Sequence, residues 1–145
     1  MDRVEAQTSE RAQRDASCAH ALARVCLGVN ILLHGLTRIP HLGGFEAKLE
    51  KQFAQTFLPG SLVHAMGIVI VFGETIIGAC VLVGFSLRAA LVAGTVLMIF
   101  LQFGTALLQD WQTAGLQLPY VAFYVVLLAT VRFDGYSVDG WRRRR

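Results

Sequence analysis

Residues 63–85, VHAMGIVIVFGETIIGACVLVGF, are 23 consecutive positions whose only formally charged side chain is Glu74. As an α-helix rising about 1.5 Å per residue, the run is roughly 34 Å long and matches a hydrocarbon layer of about 30 Å. A small water-soluble domain has no use for such a stretch. Glu74 is the residue to explain, because an acidic side chain at that depth costs about 2.5 to 3.5 kcal/mol on insertion scales. It needs a partner or a proton.

Working outward, the rest of the chain has the same character. Of 145 residues, 54% are hydrophobic and 16% charged, against about 25% charged in a typical soluble domain. Further apolar spans run from about Cys18 to Leu36, Ala89 to Leu108 and Leu116 to Val131. In hydrocarbon each backbone must satisfy its own hydrogen bonds, and the period-2 alternation of a barrel strand is absent. The reading is an all-α integral membrane four-helix bundle. Gly84 to Arg88 makes spans two and three a hairpin, and Gln109 to Gly115 reads as a loop ahead of Pro119 in the first turn of span four. Between spans one and two, Phe45, Leu49, Phe53 and Phe57 recur every four residues among Glu46, Lys48, Glu50 and Lys51. That edge predicts an amphipathic helix over Gly44–Phe57, either lying in the membrane interface or packed over the bundle end.

Charge gives an orientation. With both termini cytoplasmic, Arg3, Arg11, Arg14, Arg88, Arg132 and Arg142–Arg145 lie inside, nine residues against Arg38, Lys48 and Lys51 outside, as the positive-inside rule prefers. Three segments follow: a polar cytoplasmic segment 1–15, a membrane domain 16–139 and a basic cytoplasmic tail 140–145. The first lacks a small-residue cleavage site and does not read as a removable signal peptide. The net charge of +3 flanks apolar spans without interleaved aromatics, which argues against nucleic acid as a partner; the bilayer is the expected one. Four arginines at the C-terminus read as a topology signal, with anionic lipid or a docking partner as alternatives.

Arg24, Gly28, Ile31, Gly35 and Arg38 share one face of the first span, and Gly67, Glu74, Gly78 and Val81 one face of the second. The small residues Gly28, Gly35, Gly67 and Gly78 would let these helices pack closely. With the cytoplasmic ends aligned at Cys18 and Phe85, Arg24 begins roughly 9 Å deep and Glu74 roughly 16 Å deep, a gap of about 7 Å that an extended arginine spans. The expectation is a buried Arg24–Glu74 pair; the alternative is Arg24 snorkelling to the head groups and Glu74 protonated. Asn30, His34, Gln102 and Tyr124 would extend the polar set into a cavity for a group such as a quinone ring. Taken singly, such residues more often form interhelical hydrogen bonds or interface anchors.

Other chemistries lack support. Cys18, Cys26 and Cys80 form no Cys-x-x-Cys pair. His20, His34, His41 and His64 have no i, i+4 pair, so no metal is expected. No phosphate loop or dinucleotide fingerprint is present, so the chain holds no self-contained catalytic motif.

Arg24-x-x-x-Gly28 leading to His34-Gly35-x-x-Arg38, then Gly73-Glu74, Gly84-x-x-x-Arg88 and Arg132-x-Asp134-x-x-x-x-Asp139, resembles the DoxX family of small four-helix bacterial membrane proteins. The resemblance spans about Leu22 to Asp139, with Arg38 where the family often has Lys. It implies an inner-membrane protein. The family takes its name from a membrane component associated with thiosulfate:quinone oxidoreductase, and some members are associated with redox complexes that handle sulfur stress. The implied role is an accessory or quinone-facing membrane subunit with a soluble redox protein as partner. A small proton-coupled carrier acting through Glu74, as a homo-oligomer, and a purely structural scaffold are the alternatives.

Overall fold

The computed structural model describes residues 3–144. Met1, Asp2 and Arg145, with the side chains of Arg3, Val4 and Ala6, lie outside the described residues, so the extreme ends of the N-terminal segment and of the basic tail do too. The described chain forms α1 (Arg3–Leu36), a 3-10 turn (Ile39–His41), α2 (Leu42–Phe53), α3 (Gly60–Val83), α4 (Leu87–Leu107), α5 (Trp111–Ala129), a second 3-10 turn (Val131–Phe133) and α6 (Val138–Arg142). Among the described residues there is no strand, and four helical stretches are long and apolar enough to cross a membrane.

The helices form a closed ring. α1 packs most extensively on α3 and α4 on α5, while α3–α4 and α1–α5 contacts complete it. Inside lie Leu27, Ile31, Val81, Leu87, Leu91, Met98, Tyr124 and Leu127. Outside, Leu22, Leu33, Val69, Ile76, Phe100 and Val126 are exposed, the apolar surface that hydrocarbon, unlike water, solvates without cost. Glycine sets the α1–α3 approach: a Cβ added at Gly28 would stand 2.6 Å from the Leu82 backbone, and one at Gly78 2.6 Å from the Cα of Leu32.

Three element boundaries differ from the sequence reading. α5 starts at Trp111, so Pro119 is inside the helix and the link before it shrinks to Leu108–Asp110. The N-cap is Asp110, whose Oδ1 accepts from the Thr113 N–H (3.0 Å) and Oδ2 from the Thr113 hydroxyl (2.6 Å). Pro119 gives up one intrahelical N–H donor. α2 begins at Leu42 and ends at Phe53, so Phe57 does not continue its apolar edge and stands exposed. The stop has a local cause: the Thr56 N–H and hydroxyl both donate to the Phe53 carbonyl, at 2.9 and 2.7 Å, and the Leu58 N–H donates to the Thr56 oxygen. α1 runs on through the polar segment to Arg3 as one helix.

Of the two placements open for α2, the packed one is observed. A Cβ at Gly67 of α3 would meet Glu46 and Leu49, and one at Gly104 of α4 would meet Phe53. His64 lies 3.5 Å from Glu46 and 3.8 Å from Glu50. Gly67 thus serves the α2 contact and not the α1–α3 contact expected for it.

The α3–α4 hairpin turns on Gly84 at φ +70°. Its N–H and that of Phe85 both donate to the Cys80 carbonyl, at 2.9 and 3.0 Å, closing the helix as only a left-handed residue allows.

Candidate functional site

The glycine contacts give the register of α1 against α3. Gly28 faces Leu82, Leu32 faces Gly78 and Gly35 faces Thr75, which puts Leu36 level with Glu74 and Arg24 level with Ser86. Arg24 and Glu74 are therefore twelve residues apart along the bundle, about 18 Å. The expected Arg24–Glu74 pair does not form. Aligning Cys18 with Phe85 misplaced the register by seven residues, because Val25 is the residue that faces Phe85; hydropathy locates a span to within a turn or two, and close backbone packing decides the rest.

Glu74 instead pairs with Arg38, whose Nη1 donates to Glu74 Oε2 at 2.5 Å. The carboxylate is buried, 5% exposed, while Arg38 keeps 32% of its side chain accessible and stacks over Phe45 of α2, with Cζ 5.0 Å from the ring centroid. Arg38 follows the end of α1, so the break between α1 and α2 is what delivers a cation to mid-bundle. By the same register His34 lies within about two residues of the level of Glu74. His34 is on the exposed side of α1; its Nδ1–H donates to the Asn30 carbonyl (2.9 Å), and its ring meets Tyr120 of α5 edge-on, with centroids 6.3 Å apart. Because a carbonyl only accepts, this bond puts a proton on Nδ1 and leaves Nε2 to an outside partner.

The other residues expected at a cavity divide. Asn30 contributes its carbonyl and is itself exposed. Tyr124 is 1% exposed and fills the space over Gly94 between α4 and α5, so it is a core residue behind the cluster. Gln102 Oε1 is buried without a hydrogen-bond partner.

Arg24 belongs to a second polar centre that sequence reasoning missed. It is 4% exposed. Its Nη1 donates to the carbonyls of Val81 (2.9 Å) and Leu82, and its Nη2 to Tyr136 (2.8 Å). The first two are carbonyls of the last turn of α3, of which Val81 also accepts the Gly84 N–H (3.2 Å), and a cation suits a helix C-terminus. Residues 134–144 fold back over this end: Asp139 accepts from the Ser86 and Leu87 N–H groups (3.1 and 2.7 Å), and Arg143 reaches the buried Asp134 at 3.2 Å. Beside Arg24, His20 Nδ1 donates to Thr130 Oγ1 at 3.0 Å. Arg142–Arg144 are thus partly built into the bundle end and are not a free tail. The signal in the sequence is the Arg132-x-Asp134-x-x-x-x-Asp139 spacing, whose acidic members turn out to be a ligand for Arg143 and a cap for α4.

The ring of apolar-surfaced helices around a buried carboxylate–guanidinium pair defines a multi-pass α-helical membrane protein. The family model for DoxX matches residues 19–107, and the chain belongs to the DoxX family. No curated protein and no solved structure matches it.

Proposed function

We propose that the chain is an accessory membrane subunit of an oxidoreductase system, held in the bacterial inner membrane with both termini cytoplasmic, and that its Glu74 cluster meets the head group of a membrane quinone. The observation that carries this reading is an exposed imidazole at nearly the same level of the bundle as a buried acid: His34 presents Nε2 to the surface through which lipid-soluble molecules arrive, and Glu74 of α3 has Arg38 as its counter-ion.

A bound quinone would supply two-electron redox chemistry. The chain's own residues supply the rest. His34 Nε2 accepts a hydrogen bond from a hydroxyl when the ring is neutral and donates one to a carbonyl when it is charged. Arg38 stabilises negative charge nearby, and Tyr120 offers a ring face and an O–H at the membrane-facing edge. No residue here carries electrons, so a soluble redox protein at the cytoplasmic end is the expected partner.

The test is gentle-detergent purification from native membranes, with bound quinone and partner proteins identified by mass spectrometry, for wild type, Glu74→Gln and His34→Ala. Quinone and a redox protein retained by wild type, with quinone lost from well-folded variants, support the reading. Retention unaffected by either substitution removes the cluster from the site. Nothing bound in any sample shifts the weight to ion flux through Glu74 or to a scaffold role.

A further inference from the structure

We propose that the groove between the start of α4 and α6 binds the phosphate of an anionic phospholipid. The groove encloses about 360 Å³ and is lined by Arg88, Arg142, Arg143, Asp139, Phe85 and Val131 among others. Three guanidinium groups therefore face one carboxylate. That carboxylate is occupied, since both Asp139 oxygens accept backbone N–H groups of Ser86 and Leu87. Arg143 is held at one edge by Asp134. Arg142 stacks on Phe85, 5.4 Å from the ring centroid, and its donors have no acceptor among the described residues. Arg88 has neither a hydrogen bond nor an ion pair among the described residues. Two guanidinium forks without acceptors at the edge of one concavity are suited to a phosphate oxygen, where such bonds are charge-assisted and bidentate.

Depth selects the phosphate's source. On the other side of α6, Tyr136 and Trp141 are 61% and 53% exposed, as aromatic residues are at the level of the lipid head groups. The lining also includes the apolar Phe85, Leu87 and Val131, so a phosphate seated on the arginines has carbon beside it for its glycerol and acyl chains. A free phosphate would gain only the arginine contacts.

The experiment uses the purified full chain in neutral detergent, titrated with short-chain phosphatidylglycerol, short-chain phosphatidylcholine or inorganic phosphate and read by native mass spectrometry. The expected result is retention of phosphatidylglycerol in preference to the other two. Its affinity should fall about tenfold or more in R88Q/R142Q, since each variant removes a charge-assisted contact. It should stay within about twofold in R11Q/R132Q, which removes the same charge from the same end outside the groove. R88K/R142K keeps the charge without the fork and should recover part of the affinity, separating loss of the site from loss of the fold. Equal losses in the two double glutamine variants, no loss in R88Q/R142Q, or inorganic phosphate held as tightly as the lipid would each overturn the proposal.

Discussion

A carboxylate at mid-bundle is tolerable only with its charge answered, and Glu74 is answered by an arginine from outside its own span. The two partners are not equivalent: Arg38 can turn toward the surface when freed, while Glu74 cannot. Arg38→Ala should therefore destabilise more than Glu74→Gln, by about 3 kcal/mol against less than half of that. Thermal unfolding in detergent reads the order, and a double-mutant cycle reads the coupling. Arg24 is a different kind of residue: removing it leaves the Leu82 and Tyr136 carbonyls without a donor among the described residues and the Val81 carbonyl with the Gly84 N–H alone. Arg24→Ala should cost about 2 to 3 kcal/mol and raise hydrogen exchange across residues 134–144, with Arg24→Lys intermediate because one ammonium cannot span all three acceptors. That Glu74 needs a partner could be read from the sequence. Which arginine supplies it could not, because the sequence reads Arg24 and Arg38 on one face of the first span, and only the register and the end of α1 at Leu36 choose between them.

At the scale of elements, the spans themselves were legible because apolar length is a one-dimensional property. Register, the end of α2 and the fold-back of the C-terminus were not, since they rest on backbone approach and on hydrogen bonds between distant segments. Glycine makes that difference testable. Gly28→Ala drives a methyl into the Leu82 backbone and should lower the unfolding temperature, whereas Gly43 on α2 has open space, so Gly43→Ala should stabilise by up to about 1 kcal/mol. The cap of α5 predicts a pH dependence. Thr113, chiefly through its hydroxyl and also through its N–H, holds the Asp110 carboxyl below its usual value. The ionised cap therefore contributes fully above the ordinary carboxylate range and is lost as the pH falls through the depressed folded value. Exchange of the Thr113 and Ala114 amides should accelerate there in wild type but not in Asp110→Asn.

For the whole molecule, an even number of spans brings both chain ends to one side, where His20, Arg24, Thr130 and residues 134–144 interlock. In the proposed topology, which the basic excess favours, that side is the cytoplasmic one. Deleting the last four arginines should leave four spans inserted, because Arg11, Arg14, Arg88 and Arg132 remain; a C-terminal reporter checks this, and one found outside would reverse the topology. What the bundle does depends on whether its polar cluster opens to the lipid. The most direct measurement is photolabelling of the protein in nanodiscs with a photoreactive quinone analogue, followed by peptide mapping. The account predicts label on residues 30–38 of the α1 end and around Tyr120, competed by unlabelled quinone and lost in His34→Ala. Label spread over the outward faces of all four spans, unaffected by competitor or by His34→Ala, would contradict it.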